Sequence, residues 1–183
     1  MRPVCSAAVT ERVGEAVGAG MPLTVAGRRL EPGEAAPDFV LDHFDGSSMR
    51  FLTLADLAGS VAVLNVVNSV DTPVCDVQTR RVDALFPEAT VLTVSMDLPF
   101  ALARWTAAAG VSHPAVSSHR TEDFGRDYGV LIKEWRELQR SLFVIDRDGR
   151  IAHTQYVADQ DDQPDYDAAV AAVSRLAGSA PGP

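Results

Sequence analysis

The chain carries two cysteines, Cys5 and Cys75, and the second lies where sulfur can be made reactive. In NSVDTPVCDVQTRR, Asn68 to Arg81, Asp71 and Thr72 offer helix caps, and Val74, Val77, Val82 and Leu85 recur close to helical spacing. Cys75 therefore falls in the first turn of a helix. There a thiol faces unpaired backbone N–H groups and the positive end of the helix dipole, which favours the nucleophilic thiolate. Thr72, three residues earlier, puts a hydroxyl where an attacked oxygen would sit, and the helix start adds donors for developing negative charge. Plainer readings stand beside these. A cysteine in a small domain is often a buried, inert hydrophobe, and Thr72 serves equally as an ordinary cap worth about 1 kcal/mol.

A thiol at a helix start needs a scaffold behind it, and the flanking sequence supplies one. SVAVLNVVN, Ser60 to Asn68, is apolar and β-branched at its core, the signature of a central strand covered on both faces. TVLTVSM is a second buried strand, PFALARWTAAAG a helix opened by Pro99 and closed by Gly110, and AVSS a short strand. This alternation implies an α/β fold with a parallel core. SLFVIDRDGRIAHTQYV is a hairpin turning at Asp148–Gly149, EDFGRDYGV a brief helix, and DYDAAVAAVSRLAG a closing amphipathic helix. Upstream, FVLDHFDGSSMRF offers two extended pieces about Asp45–Gly46, and PLTVAGRRL two short strands about Ala26–Gly27. Residues 1–20 lack clear periodicity and are expected to be a flexible extension, with one domain over 21–183.

Composition narrows the function classes. A net charge of −9 opposes binding to phosphate backbones, so nucleic acid is not an expected partner. The acidic run ADQDDQPDYD, Ala158 to Asp167, reads as a solvated loop leading into a helix. No apolar stretch approaches the ~20 residues of a membrane span, and the amino terminus lacks a secretory apolar core, so the chain reads as cytoplasmic. His43, His113, His119 and His153 show no metal-ligand spacing. A disulfide reductase would need C-x-x-C, and this chain has T-x-x-C.

DTPVCDVQTRR, followed in order by VSMDLPFALARW, DYGV, RSLFVIDRDGRI and PDYDAAVAAV, resembles the bacterial thiol peroxidases of the peroxiredoxin superfamily from about Glu11 to Leu176. The resemblance implies a thioredoxin fold of peroxiredoxin type, with a central mixed sheet flanked by helices and an added N-terminal β-hairpin. It implies reduction of hydrogen peroxide and organic hydroperoxides without metal or organic cofactor. Cys75 would be the peroxidatic cysteine, Thr72 the hydroxyl that orients peroxide, and Arg140 the cation that holds the thiolate and polarises the O–O bond. A homodimer is implied as well.

The chain departs from that pattern twice. The family's Pro four residues before the Thr shields the sulfur from water; here Asn68 stands there, and its polar side chain predicts a wetter pocket. The family's resolving cysteine lies two positions past the Arg of the LPFA helix, and here that position is Thr106, beside Trp105. A hydroxyl forms no disulfide. Reduction of an oxidised Cys75 would then fall to an external thioredoxin-like protein or low-molecular-weight thiol, or to Cys5. The alternative class is a weakly catalytic or non-catalytic redox sensor on the same fold.

Overall fold

In the computed structural model, which describes residues 10–178, Glu11–Gly18 (β1) and Met21–Ala26 (β2) pair antiparallel with Gly18 opposite Met21. Ala19 and Gly20 both have positive φ, 50° and 72°, as a two-residue type I′ turn requires. Two expectations are corrected here. The hairpin turns at Ala19–Gly20 rather than Ala26–Gly27, and residues 11–20 are part of the fold rather than a loose extension. Periodicity missed this strand because its buried residues, Ala16 and Gly18, are small, and because a register irregularity falls between Val13 and Ala16. Gly18 has to be small: a Cβ there would sit 1.9 Å from the Trp135 ring.

The chain continues through Val40–Phe44 (β3), Met49–Thr53 (β4), Ala62–Val66 (β5), Pro73–Leu85 (α1), Thr90–Ser95 (β6), Pro99–Ala109 (α2) and Ala115–Ser117 (β7). Asp123–Asp127 (α3), Leu131–Ile132 (β8), Glu137–Leu138 (β9), Ser141–Ile145 (β10), Ile151–Tyr156 (β11) and Tyr166–Gly178 (α4) complete it. The main sheet has the order β11-β10-β5-β6-β7-β3-β4, and a second sheet the order β1-β2-β8-β9. β5, β6 and β7 run parallel, while β10, β11, β3 and β4 join antiparallel, so the sheet is mixed. The two-residue strands β8 and β9 are too short to show a period.

β5 is buried on both faces, as its composition requires. Leu64 and Val66 pack with Phe143, Ile145, Phe124 and Tyr128 on one side; Val63 packs with Leu142, Val144, Val82 of α1 and Ala169 and Val173 of α4 on the other. The odd–even division follows from the two-residue repeat of a strand. At the joint where the hairpin meets α3 and the turn into β8, Gly27 has φ +97°, and a Cβ there would meet the Arg126 carbonyl oxygen at 2.0 Å. Across that joint Arg12 Nη2 donates to Gly129 O at 2.8 Å. The hairpin is thus docked by close backbone approach, and Val17 N and Val17 O bond Ala158 O and Gln160 N, at 2.7 and 2.8 Å. Among the described residues no helix is long and apolar enough to cross a membrane. Cys5 lies outside the described residues.

Candidate active site

β5 ends at Val66 and the chain turns through residues 67–72 into α1. Asp97, in the turn after β6, holds that loop: Ser69 Oγ and Val70 N donate to its carboxylate, each at 2.9 Å. Thr72 is extended at the N-cap (φ −87°, ψ 138°) and Pro73 opens the helix, where a missing N–H costs nothing. Cys75 follows in the first turn and is fully buried, packed with Val67, Val70, Leu102 and Ala115, with Trp105 against the cluster.

The buried face of α1 is Cys75, Gln78, Thr79 and Val82, so of the apolar positions that the spacing suggests Val82 alone lies fully buried. Val77 is 52% exposed and Leu85 36%. Two polar residues lie on that face because the space behind the helix holds polar groups: Gln78 meets a buried cation, Arg140, and Thr79 meets the Asn65 amide. Arg140, immediately before β10, is 1% exposed, and its Nη2 donates to Cys75 Sγ at 3.4 Å and to Gln160 O at 2.9 Å. Its Nη1 donates to Gln78 Oε1. A buried guanidinium is costly unless its donors are met; here both Nη groups are met and Nε has no partner among the described residues, and these acceptors aim Nη2 at the sulfur. No carboxylate pairs with Arg140 among the described residues, and the Cys75 sulfur is the group that Nη2 faces at 3.4 Å.

Asn68 does not admit water as the sequence reading expects. It is 6% exposed, and its Nδ2 donates to Leu138 O at 2.7 Å and to Gln160 Oε1 at 3.1 Å. With both amide protons engaged, Oδ1 is turned toward the site, 3.4 Å from Arg140 Nη2 and 3.9 Å from Sγ, where it accepts from the thiol. The sulfur is fully buried, and protein groups satisfy this amide on both its donor and its acceptor side.

Gln160 is the residue that sequence reasoning missed most clearly. It lies in the acidic run read as solvated, yet it is 4% exposed. Its carbonyl accepts from Arg140 Nη2, and its Oε1 accepts from the Arg140 backbone N–H at 2.8 Å. Nothing in the local composition marks it; long-range pairing with Val17 brings it in. Gln78 carried a usable signal, since it lies three residues after Cys75 and hence on the same helix face.

Cys75 and Arg140 are thus brought together, whereas Thr72 stands at the rim. Its Oγ1 donates to Ser69 O at 3.0 Å and makes no side-chain capping bond, so the reading of Thr72 as an ordinary cap is set aside. Thr106 is half-buried on α2, with its hydroxyl turned back to Ala103 O at 3.1 Å. Around the site, burial is the largest influence on two further groups. It pushes Tyr166 up to about 12 against the pull of Arg81 and Arg140, and it raises Glu137 above the usual carboxylate range, with Asp97 adding to the effect. No group of acidic, His or Cys side chains among the described residues could hold a metal ion.

The AhpC/TSA family profile matches residues 32–154. The chain is 43% identical over 161 residues to a thiol peroxidase of Streptococcus gordonii, covering 86% of this chain and 97% of that protein. It is 40% identical over 161 residues to a thiol peroxidase of Bacillus subtilis (strain 168), covering 86% and 95%. Among solved structures, a peroxiredoxin-like protein from Aquifex aeolicus superposes with TM-score 0.78 at 30% identity over 90% of this chain and 98% of that one. A thiol peroxidase from Chromobacterium violaceum, at TM-score 0.79 and 22% identity over 87% and 95% of the two chains, shares the fold. A family match spanning both the sheet and the cysteine helix, with relatives of 40–43% identity over most of their own length, establishes that this chain belongs to the AhpC/TSA family and, within the peroxiredoxin superfamily, to the bacterial thiol peroxidases.

Proposed function

We propose that the chain is a thiol-dependent peroxidase in which Cys75 is the peroxidatic nucleophile. The thiolate attacks the terminal oxygen of a hydroperoxide ROOH; an S–O bond forms, the O–O bond breaks, and RO⁻ leaves, taking up the proton that the thiol gave up on ionising to become ROH. Cys75 is left as a sulfenic acid. The observation that carries the reading is the fully buried Arg140 guanidinium 3.4 Å from Cys75 Sγ, a donor positioned for charge moving from sulfur to oxygen in the absence of water. Thr72, at the mouth of the site, orients the incoming peroxide once its hydroxyl turns from Ser69.

A thiol R′SH then condenses with the sulfenic acid, releasing water and leaving a mixed disulfide that a second thiol opens. Thr106 cannot take that part, so the reductant is an external thiol, either a thioredoxin-like protein or a small molecule. The chain acts as a homodimer. Stopped-flow mixing of reduced protein with hydrogen peroxide tests the reading: the native chain consumes one equivalent and gains one oxygen by intact mass, and Cys75→Ser does neither. A native chain that consumes no peroxide refutes it, and a loss of two hydrogens with a Cys5–Cys75 crosslinked peptide refutes the external-thiol step.

A further inference from the structure

Behind Arg140 the buried polar groups continue as a chain that runs between α1 and the sheet, across β5 and β6, to a His–Asp pair near the C-terminal end of α1. Gln78 Nε2 donates to Asn65 Oδ1 at 2.6 Å. Asn65 Nδ2 donates to Thr93 Oγ1 at 2.9 Å and to Thr79 Oγ1 at 3.1 Å. Thr93 Oγ1 lies 2.7 Å from His113 Nε2, and His113 Nδ1 lies 2.9 Å from Asp83 Oδ1. Gln78, Asn65 and Thr93 are fully buried, while His113 is 9% exposed and the Asp83 side chain 23%.

The direction of every bond in this chain follows from its first member. A guanidinium only donates, so Gln78 must present Oε1 to Arg140 and its NH2 to Asn65. Asn65 must then present Oδ1 to Gln78 and its NH2 to the two threonines. Thr93 Oγ1, already an acceptor, has its proton free for His113 Nε2, which leaves the imidazole proton on Nδ1, facing Asp83. The neutral tautomer is thereby written into the chain. Protonation of His113 places an N–H at Nε2 against the Thr93 hydroxyl, and that hydroxyl then loses its acceptor.

We propose that His113 is a pH-sensitive positioning residue for the peroxide reaction, acting through Thr93, Asn65 and Gln78 on the Arg140 donors that face Cys75. This rests on the function proposed above. Three charged or titratable groups face His113 from the packed elements: Asp83 from α1, and His43 and Asp45 across a shared cleft from β3 and the turn after it. β6 contributes the uncharged Thr93. Burial lowers the His113 pKa from its ordinary 6.5, against the opposing pull of Asp83, so the neutral form holds near pH 7.

The experiment compares the native chain with His113→Gln, Thr93→Val and Thr93→Ser across about pH 5 to 8. Folding of each is checked by circular dichroism. Two rate constants are read: peroxide reaction by stopped flow, and alkylation of Cys75 by iodoacetamide, which needs no peroxide chemistry. The ratio of native to His113→Gln rate constants should be flat above about pH 7 and fall at least threefold below about pH 6. Taking a ratio cancels the ionisation of the thiol itself. Thr93→Val should be slower by about 2- to 30-fold and should lose the His113-dependent limb, and Thr93→Ser should restore both.

If peroxide is consumed and both ratios are flat with pH, the positioning role fails and the peroxidase reading stands. If peroxide is not consumed but the alkylation ratio follows pH, the chain is confirmed and the peroxidase reading fails. Should Thr93→Val not fold, the His113→Gln ratio decides alone.

Discussion

Arg140→Met is the sharpest test of the site, because it removes one charge and leaves a side chain of similar length. In the native fold Nη2 lies 3.4 Å from Sγ. Two unit charges at that distance attract by about 5 kcal/mol at an effective dielectric of 20, a ceiling before desolvation is subtracted. Loss of a single preorganised donor to developing oxyanion charge costs about 2.7 to 4 kcal/mol, or ~100- to 1000-fold in rate. We therefore expect the second-order rate constant with hydrogen peroxide to fall by ~100- to 1000-fold. Stability should change far less than the rate, since two effects oppose. Gln78 Oε1, Gln160 O and Asn68 Oδ1 lose a donor, at about 1–3 kcal/mol for each acceptor left unsatisfied. Against this, a buried charge with no carboxylate partner no longer has to be desolvated, which is worth several kcal/mol. Stopped-flow fluorescence suits the measurement, because Trp105 packs against the Cys75 cluster. Arg140→Lys keeps the charge but not the fork, and should recover only part of the rate. A folded Arg140→Met variant reacting within about threefold of native would refute the argument that this donor stabilises the transition state.

Thr72→Val should slow the peroxide step by about 10- to 100-fold while Thr72→Ser keeps most of it; equal loss in both would mean that the β-branched shape, not the hydroxyl, is what matters. Gly27→Ala should cost about 2 to 4 kcal/mol in urea unfolding, because it adds a 2.0 Å approach to the Arg126 carbonyl to a positive φ. Gly46→Ala, with φ +93° and open space around it, should cost clearly less, and equal losses would show that the joint yields. Stability should also decline as the pH falls below 6.5, because burial lowers His113 and His153 from that ordinary value. Between their ordinary and lowered values the unfolded chain binds protons that the folded chain refuses. Urea midpoints at about pH 7.5 and 5.5 check this, and a midpoint unmoved in that window, or no flattening in His113→Gln, would contradict it.

Local order along this chain was legible because it depends on neighbours in sequence. The buried run at β5, the helix that begins at Pro73, the helix closed by Gly110 in the left-handed conformation and the hairpin from β10 to β11 all lie where pattern and punctuation place them. The position of Cys75 in a first helical turn follows from the same local rules, and motif resemblance added Arg140. Burial of polar side chains was not legible, because it is decided by what arrives from far along the chain. Asn68 is buried at low cost only because Leu138 and Gln160 meet its amide. Gln160 leaves its acidic loop for the interior only because Val17, on a strand whose buried residues are too small to show a period, pairs with that loop. A hydrogen bond between residues 65 or 92 positions apart leaves no trace in the spacing of either. Residue types and intervals along the backbone therefore set the helix, the thiol and the strands, while the aim of Arg140 and the burial of the sulfur arise from contacts that exist only once both sheets have closed on one another.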